Sequence, residues 1–323
     1  MTNENVEMSQ TNPEASINGH LSPDEQAEGL REQIESLESQ LAAAKAKLHS
    51  LSPPPPQNSL PKSNTLNTNT ANLHLWLLLA DSALPIGSFA FSSGLESYIS
   101  HRSLRHPLSS GQKPTPRGDL SRFLRLSLLS ISTTTIPFVA AAFQNPSSAP
   151  QLDEIFDATT TCEVARRASI SQGRALCSVW DKSFSQSLLS KDTPPDQNAE
   201  INLDIEPYET RFPQTHRPDH FGVSWGYITA LSGLPRTPNS LHQVLSVFLF
   251  NHVKAILSAA VRLSLIGPYV AQMMLASEEV RKLVAEAVER GRDIPVSEAG
   301  QSVPTIDLWQ GRHERLYTRI FNS

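Results

Sequence analysis

Cysteine is scarce in this chain, because Cys162 and Cys177 are the only two among 323 residues and they do not form a C-x-x-C pair. The sequence also lacks any Asn-x-Ser/Thr site in which x is a residue other than proline. Both features are typical of proteins that stay in a reducing compartment. The N-terminus lacks the basic and apolar regions of a signal peptide and the arginine-rich bias of a transit peptide. We therefore expect a cytoplasmic protein.

Excess positive charge and long uninterrupted apolar runs are lacking as well. The chain has 27 Lys and Arg against 32 Asp and Glu, a net charge of -5, so a nucleic acid partner is not expected. The longest apolar region, residues 244–275, is interrupted by Asn251, His252, Lys254 and Arg262, which argues against a membrane-spanning helix. A G-x-x-x-x-G-K-[ST] loop is missing, so any GTP requirement would be met by a partner protein.

The first seventy residues differ in composition from the rest of the chain. We interpret residues 1–70 as a disordered extension that carries a short heptad helix at about 24–49 and a linker rich in Pro, Asn and Thr. The apolar seam of that helix follows heptad spacing and consists of Leu30, Ile34, Leu37, Leu41, Ala44 and Leu48. Two interpretations remain open: a solvated amphipathic helix, or a small coiled coil that assists dimerisation.

From residue 71 to residue 323 the patterns are helical, and runs of alternating β-branched residues are few. They predict one all-α domain, a helical bundle, with helices near residues 118–132, 152–190, 221–234, 241–267 and 277–290. Another helix is expected to begin near Pro137. Residues 241–267 are broadly apolar, so we expect that helix to be central. A stretch rich in Pro and charge at about 191–218 is interpreted as a surface insertion.

One motif suggests a hydrolase. Gly222-Val-Ser224-Trp-Gly226 fits the G-x-S-x-G pattern of a nucleophile elbow, and Asp307 and His313 follow in the order that an α/β-hydrolase requires. The elbow works only as a strained turn between a buried strand and a helix. The residues that precede it do not form such a strand, and small residues at this spacing favour close helix packing. A serine hydrolase that uses Ser224 is therefore one weaker alternative, and a coiled-coil adaptor that acts through residues 24–49 is the other.

Metal-binding signals are also weak, although the chain contains ten histidines. His216 and His220 have helical spacing, but Pro218 lies between them and disfavours the helix that would align their rings. Cys162 and Cys177 are interpreted as small buried hydrophobic residues. We expect the chain to bind no cofactor or metal directly.

Four blocks in order along the chain carry a family resemblance. The first is residues 73–98, an apolar run, a turn broken by Pro and Gly, and a restarted helix; its acidic groups are Asp81 and Glu96, which is too few for catalysis alone. The second is RRASISQGRAL at residues 166–176, the third is residues 251–272, and the last is DLWQGRHERLYTRIFNS at residues 307–323. Together they resemble the UreF family of urease accessory proteins over roughly residues 70–323.

The resemblance implies an all-helical scaffold that is not an enzyme. Such a protein would form a homodimer, bind the accessory protein UreD (also called UreH) and recruit the GTPase UreG for nickel insertion into apo-urease, with nickel and GTP handled by those partners. The residues carried over as partner-binding are Gly87, Ser88, Phe89, Ser92, Gly94, Glu96, Tyr98, Arg166, Gln172, Gly173, Arg174, His313, Glu314, Leu316, Tyr317, Arg319 and Phe321. Two positions depart from the family pattern, Phe91 and Pro268.

The last block also supports a physical hypothesis. Apolar side chains are concentrated in residues 316–321, and such a tail needs a docking surface. We predict that Leu316, Ile320 and Phe321 face one side, and that Arg319 reaches the region of Glu96 and Tyr98 to fix the tail. In the second block, Gly173 within a helix predicts a close backbone approach or a kink.

Overall fold

The computed structural model divides into two units, Met1–Asn67 and Thr68–Ser323. It describes residues 64–101, 115–185 and 219–322, together with residues 31, 33–41, 43, 44 and 47, which are helical. The predicted insertion at 191–218 lies outside the described residues, and so do His216 and Pro218. No β-strand occurs in the described part of the chain, which confirms the all-α prediction.

Within residues 64–101, 115–185 and 219–322 most connections between helices are short, and the first helix begins at Asn64, inside the stretch up to residue 70 that was predicted to be a linker. The helix bounds are α1 (Asn64–Ala80), α2 (Leu95–Ser100), α3 (Pro116–Thr134), α4 (Ile136–Gln144), α5 (Ala149–Thr159), α6 (Glu163–Val179), α7 (Phe221–Leu231), α8 (Pro238–Arg262), α9 (Pro268–Leu275), α10 (Glu278–Gly291) and α11 (Pro304–Arg312). Two short 3₁₀ turns are also present. Ser88–Ala90 lies between α1 and α2, and His313–Arg315 directly follows α11.

Capping residues explain where three of the longer helices begin. The Thr115 hydroxyl accepts a hydrogen bond from the Gly118 amide at 3.1 Å in front of α3, and Thr237 caps α8 by accepting from the Ser240 amide at 3.2 Å. Ser277 does the same for α10. A side-chain oxygen at this position satisfies an amide that has no partner within the helix, so each start is encoded locally.

Helix α7 is the most completely enclosed element, since all nine residues from 222 to 230 are buried. It packs on α4 and α6. A Cβ atom at Gly222 would lie 2.5 Å from a methyl of Thr135, and one at Gly226 would lie 2.3 Å from the carbonyl oxygen of Val139. The G-x-S-x-G motif therefore permits close helix packing. Helix α8 supplies eleven buried residues and packs against α2, α3, α4, α7, α9 and α10, in agreement with the sequence-based expectation that the helix in residues 241–267 is central.

Helix α8 is long and apolar enough to cross a bilayer, and α3 with α4, bent by 42°, would meet the same criterion as a pair. Half of the most apolar stretch of α8 is buried inside the protein. Its polar residues are used internally: Asn251 donates to the Leu79 carbonyl at 2.8 Å, and Lys254 donates to the Ala80 carbonyl. These bonds satisfy carbonyl groups at the end of α1 that have no partner within that helix.

Candidate functional site

The first sequence block forms a turn that aims α2 at the C-terminal segment. Two glycines in this turn have left-handed backbone conformations, Gly87 with φ of 70° and Gly94 with φ of 86°. A Cβ atom at Gly94 would also lie 3.0 Å from the Gln310 side chain. Only glycine meets both conditions without strain. As a result Glu96, in the first turn of α2, points into the space between α2 and the segment that follows α11.

The carboxylate of Glu96 is the centre of the site. It is almost completely buried and accepts three hydrogen bonds: from His313 Nε2 at 2.8 Å, from the Ile320 amide at 2.7 Å and from the Phe321 amide at 3.2 Å. His313 is fully buried as well. We call this arrangement the Glu96 node. Because a buried carboxylate requires several donors, the node fixes the backbone of residues 320 and 321 against α2.

Phe321 and Arg262 complete the attachment of the tail. Phe321 is buried, and the Arg262 guanidinium lies over its ring at 4.1 Å from the ring centre. Arg262 also donates to the Phe89 carbonyl, while the Asn322 amide donates to the Ala90 carbonyl at 2.8 Å. Burial lowers the pKa of Arg262 from its ordinary value. The end of α8, the 88–90 turn and the tail are therefore held together by one guanidinium and one backbone hydrogen bond.

Arg319 does not reach Glu96, so the sequence-based hypothesis about this contact is wrong. Its guanidinium donates to Glu314 at 2.9 Å instead. Glu314 also accepts from Arg167 of α6, and hydrogen bonds from Arg167 and then Arg319 lower its pKa. Since two backbone amides and His313 already satisfy Glu96, that carboxylate needs no arginine. Arg319 remains at the surface with its side chain 44% exposed.

The apolar residues of the tail do not share one side, in contrast to the sequence-based expectation. Phe321 is buried and Leu316 is half-buried, but Ile320 and Tyr317 are exposed, at 62% and 103%. Residues 320 and 321 lie in a bend of the tail, with Phe321 packed into the domain and Ile320 directed to solvent. Phe89, whose carbonyl is bound by Arg262, is 66% exposed.

These side chains define what we call the tail surface: Arg167, Glu314, Arg319 and Ile320, which line a groove of about 600 Å³, with the exposed Phe89 and Tyr317. It combines apolar and aromatic groups with two guanidinium groups that share one carboxylate. Aromatic residues and arginine are enriched in protein interfaces. The arrangement is suited to binding another protein.

Tyr98 and Ser92 support the site from within. Tyr98 is fully buried, with its ring 4.6 Å from that of Trp309 and 5.0 Å from that of Phe123. The Ser92 hydroxyl, also buried, accepts from the Glu96 amide at 3.3 Å. Neither side chain is accessible, so any contribution they make to partner binding acts through the position of α2 and α11.

The second sequence block divides between two roles. Arg166 and Arg174 form ion pairs inside the domain, Arg166 with Asp157 at 2.6 Å and Arg174 with Asp219 at 2.6 Å. A Cβ atom at Gly173 would lie 1.9 Å from the Asp219 carbonyl oxygen, which confirms the predicted close backbone approach. These three residues hold the segment that leads into α7.

Gln172 has a different role, because it connects the second block to the first. Its side-chain oxygen accepts from the Ser88 hydroxyl at 3.1 Å, and its amide nitrogen donates to the Ala168 carbonyl at 3.1 Å. With Arg167 bound to Glu314, α6 thus contacts both the 88–90 turn and the segment that follows α11.

A hydrogen-bond network at the start of α7 was not predicted from the sequence. Buried His220 bonds through Nε2 to Asp157 at 2.9 Å and through Nδ1 to the Ser169 hydroxyl at 3.1 Å. The Asp153 carboxylate accepts the amides of Asp219 and His220. Hydrogen bonds from Arg166 lower the pKa of Asp157 to about 2. The spacing of the two aspartates, four residues apart on α5, is the only trace of this network in the sequence.

The domain also contains a partly open pocket of about 400 Å³. Its walls carry many hydroxyl groups, among them Ser127 and Thr160, together with His252 and Asp307. Burial lowers the pKa of His252 to about 4, so the ring is neutral near pH 7, and it bonds to the Ser127 hydroxyl at 2.8 Å. Burial raises the pKa of Asp307, which accepts from Gln301 at 2.8 Å.

The hydrolase alternative conflicts with this geometry. Ser224 is fully buried in the middle of α7 and not on a turn that follows a strand. His313, the proposed base, is bonded to Glu96, and Asp307 is bonded to Gln301. A nucleophile elbow exposes its serine beside backbone donors, which a helix interior does not do. Within the described ranges, His, Cys, Asp and Glu side chains form no group of three suited to hold a metal ion.

Comparison with known proteins gives consistent results over most of the chain. Residues 115–278 match the model of the family described as UreF. A Schizosaccharomyces pombe protein named "Uncharacterized urease accessory protein UreF-like" is 35% identical, with 77% of this chain and 97% of that protein covered. Urease accessory protein 6 of Cryptococcus neoformans is 29% identical, covering 80% and 99%. Urease accessory protein F of rice is 29% identical, covering 80% and 90%.

Proposed function

Because the chain belongs to the UreF family of urease accessory proteins, we propose that it is a scaffold for urease maturation that joins UreD (UreH) and recruits the GTPase UreG. The assembly would deliver nickel to apo-urease, with the metal as cargo and GTP bound by UreG. The proposal gives this chain no catalytic residue and makes it a homodimer in the cytoplasm.

The observation that supports this proposal best is the tail surface. The Glu96 node and Arg262 hold residues 320–322 in place, so Ile320 is presented on an ordered backbone and not on a fraying terminus. Tyrosine and arginine are enriched in binding hot spots, and the exposed Tyr317, Arg167 and Arg319 surround Ile320 on this surface. Ordering the tail before binding also reduces the entropy that association would otherwise cost. We therefore assign this surface to UreD.

UreG would be recruited by the joined surfaces of this chain and UreD. A scaffold that binds one nucleotide state of a GTPase more tightly than the other shifts the population toward that state. This coupling requires rigid contact surfaces and no chemical group from the scaffold. It is consistent with the absence of a nucleotide-binding loop from the sequence.

Co-purification tests the assignment. The tagged full chain is expressed together with UreD and UreG from the same organism. The variant Ile320→Asp is compared with the control Ile155→Asp, which makes the same change at an exposed isoleucine of α5. Loss of a hot spot worth about 2 kcal/mol weakens binding about 30-fold. We expect Ile320→Asp to lose UreD, and UreG with it, while Ile155→Asp retains both.

Thermal unfolding of the two variants provides the folding control. Both substitutions change solvent-exposed side chains, so the melting temperature is expected to stay close to that of the unmodified chain. If Ile320→Asp and a second variant, Tyr317→Ser, both retain UreD at the unmodified affinity, the tail surface is not the binding site.

A further inference from the structure

The partly open pocket of about 400 Å³ has the size of a small-molecule binding site. Phe156, Phe221 and Phe248 supply aromatic surface to its walls. Among the described residues that line it, none is a lysine or an arginine, and Asp307 is the one carboxylate. The pocket therefore offers no opposite charge to an anion, and a buried charge without a partner is unfavourable.

Several hydroxyl groups of the wall already donate their hydrogen to other groups of the protein. Thr160 donates to the Phe156 carbonyl at 2.7 Å, and Thr159 donates to the same carbonyl at 3.1 Å. Ser130 donates to the side-chain oxygen of Gln301 at 2.8 Å. A hydroxyl has one hydrogen and two lone pairs, so each of these groups can only accept a further hydrogen bond.

We propose that this pocket binds an uncharged small molecule that has a flat apolar body and a hydrogen-bond donor at its edge, as aromatic amides and alcohols do. The phenylalanine rings would cover the apolar body, and the hydroxyl oxygens would accept from the donor. The proposal concerns the chain by itself, so it does not depend on the binding of UreD or UreG.

A cation is the competing occupant, because Asp307 lies in the wall. Its carboxylate already accepts from Gln301 at 2.8 Å. Burial raises the pKa of Asp307, which means that the surroundings disfavour charge at this position. His252, on the same pocket, bonds to the Ser127 hydroxyl and is neutral near pH 7. These contacts favour an uncharged ligand over a cation.

Four probes of nearly the same size and shape separate the possibilities. Benzamide is uncharged and carries an NH₂ donor, acetophenone is uncharged and has only an acceptor, benzoate is an anion, and benzamidine is a cation. Each is titrated into the full chain and followed by saturation-transfer NMR. We expect benzamide to bind with a Kd of about 1 mM, which is usual for so small a ligand. Acetophenone should bind about 3- to 10-fold more weakly, because it cannot donate to the hydroxyl oxygens, and the two ions at least about 10-fold more weakly.

Matched variants assign the binding to this pocket. Ala255→Leu adds a larger side chain to its wall, whereas Ala276→Leu makes the same change at a half-buried alanine outside it. We expect Ala255→Leu to weaken benzamide binding by about 10-fold or more, since the added atoms occupy the ligand's space, and Ala276→Leu to leave it unchanged. Thr160→Val removes one hydroxyl at nearly the same shape, so it should weaken benzamide by about 3-fold and leave acetophenone unchanged.

Melting temperatures show whether the variants fold, and Thr160→Val decides the question if Ala255→Leu does not. The proposal is wrong if benzamide fails to bind at about 10 mM, or if it binds no better than acetophenone. It is also wrong if benzamide binds folded Ala255→Leu, or Thr160→Val, as tightly as the unmodified chain. Tighter binding of benzamidine than of benzamide would make the pocket a cation site instead.

Discussion

Replacement of Glu96 by glutamine is the sharpest test of how the tail is held. The carboxylate offers only acceptors to its three donors, His313 Nε2 and the amides of Ile320 and Phe321. Glutamine has nearly the same shape but carries one carbonyl oxygen and one NH₂ group, which is a donor. Whichever way the new amide is oriented, its NH₂ group meets at least one backbone amide that is also a donor. The substitution therefore leaves a buried donor unsatisfied with little change in packing.

The size of the effect of Glu96→Gln follows from the one donor that is left unsatisfied. One buried donor without a partner costs about 1 to 3 kcal/mol. If this free energy is lost only when the tail is docked, the ratio of docked to undocked tail falls by about 5- to 150-fold. The Arg262 contact with Phe321 remains, so the effect is opening of the tail and not unfolding of the domain.

Amide hydrogen exchange at the tail measures this ratio directly, because the amides of Ile320 and Phe321 are protected only while they donate to Glu96. We expect exchange of this segment to accelerate in Glu96→Gln by the stated factor. Glu314→Gln is the matched control: it makes the same change at an exposed carboxylate, where ion pairs contribute about 0 to 1 kcal/mol. Unchanged protection in Glu96→Gln, or equal acceleration in Glu314→Gln, would refute the reasoning.

Three further predictions concern stability and can be checked by urea denaturation. Gly173→Ala should destabilise the protein by about 1 to 3 kcal/mol, because its Cβ would collide with the Asp219 carbonyl, while Gly311→Ala, with open space around it, should not. The arginine partner of Asp157 lowers its pKa to about 2. The stabilisation by this carboxylate is therefore complete above pH 3.8, its ordinary pKa, and is lost as the pH falls toward 2. Asp157→Asn should make the free energy of unfolding depend less on pH between these values. Burial lowers the pKa of His252 from 6.5 to about 4, so the unfolded chain binds a proton between these pH values that the folded chain does not. The free energy of unfolding should therefore fall as the pH drops from 6.5 to 4. His252→Gln should remove one proton from that difference and so make the fall less steep.

Local signals in the sequence were sufficient for the class of fold and for the start of α10 at the Ser277 cap. The caps Thr115 and Thr237 begin α3 and α8 two and three residues before the predicted 118 and 241, although such caps depend only on residues within one turn. The glycines around Ser224 were also interpreted correctly, because the residues before them exclude a strand. The central position of α8 was also predictable, because a helix that is apolar on most of its surface must be covered by several neighbours.

The sequence could not show which groups hold the tail against Glu96, and the reason is physical. The sequence indicated that the tail needs an anchor and that Glu96 takes part, and it suggested a charge partner, Arg319. The structure uses backbone amides, which every residue except proline provides and which therefore leave no mark in the sequence. His313 was recognised by family resemblance, but its contact with Glu96 depends on how α11 returns to α2. Binding of UreD at this surface stays a prediction.

The second block shows a similar limit. Its arginines and glycine were identified as important, yet Arg166, Gly173 and Arg174 serve the segment leading into α7. Their partners, Asp157 and Asp219, lie 9 and 45 positions away, and sequence spacing does not reveal such distant pairs. Arg167 and Gln172 of this block instead form hydrogen bonds with Glu314 and with Ser88 of the 88–90 turn.

The separation of the groups in the Glu96 node also bears on biosynthesis. Glu96 and the amide of Ile320 are 224 positions apart, an interval that a ribosome adding about 5–20 residues per second needs roughly 11 to 45 s to translate. Throughout that time the carboxylate is present without two of its donors. The surface built on residues 320 and 321 thus arises after translation of most of the domain, and a companion that recognises it would ignore nascent chains and select copies that have finished folding.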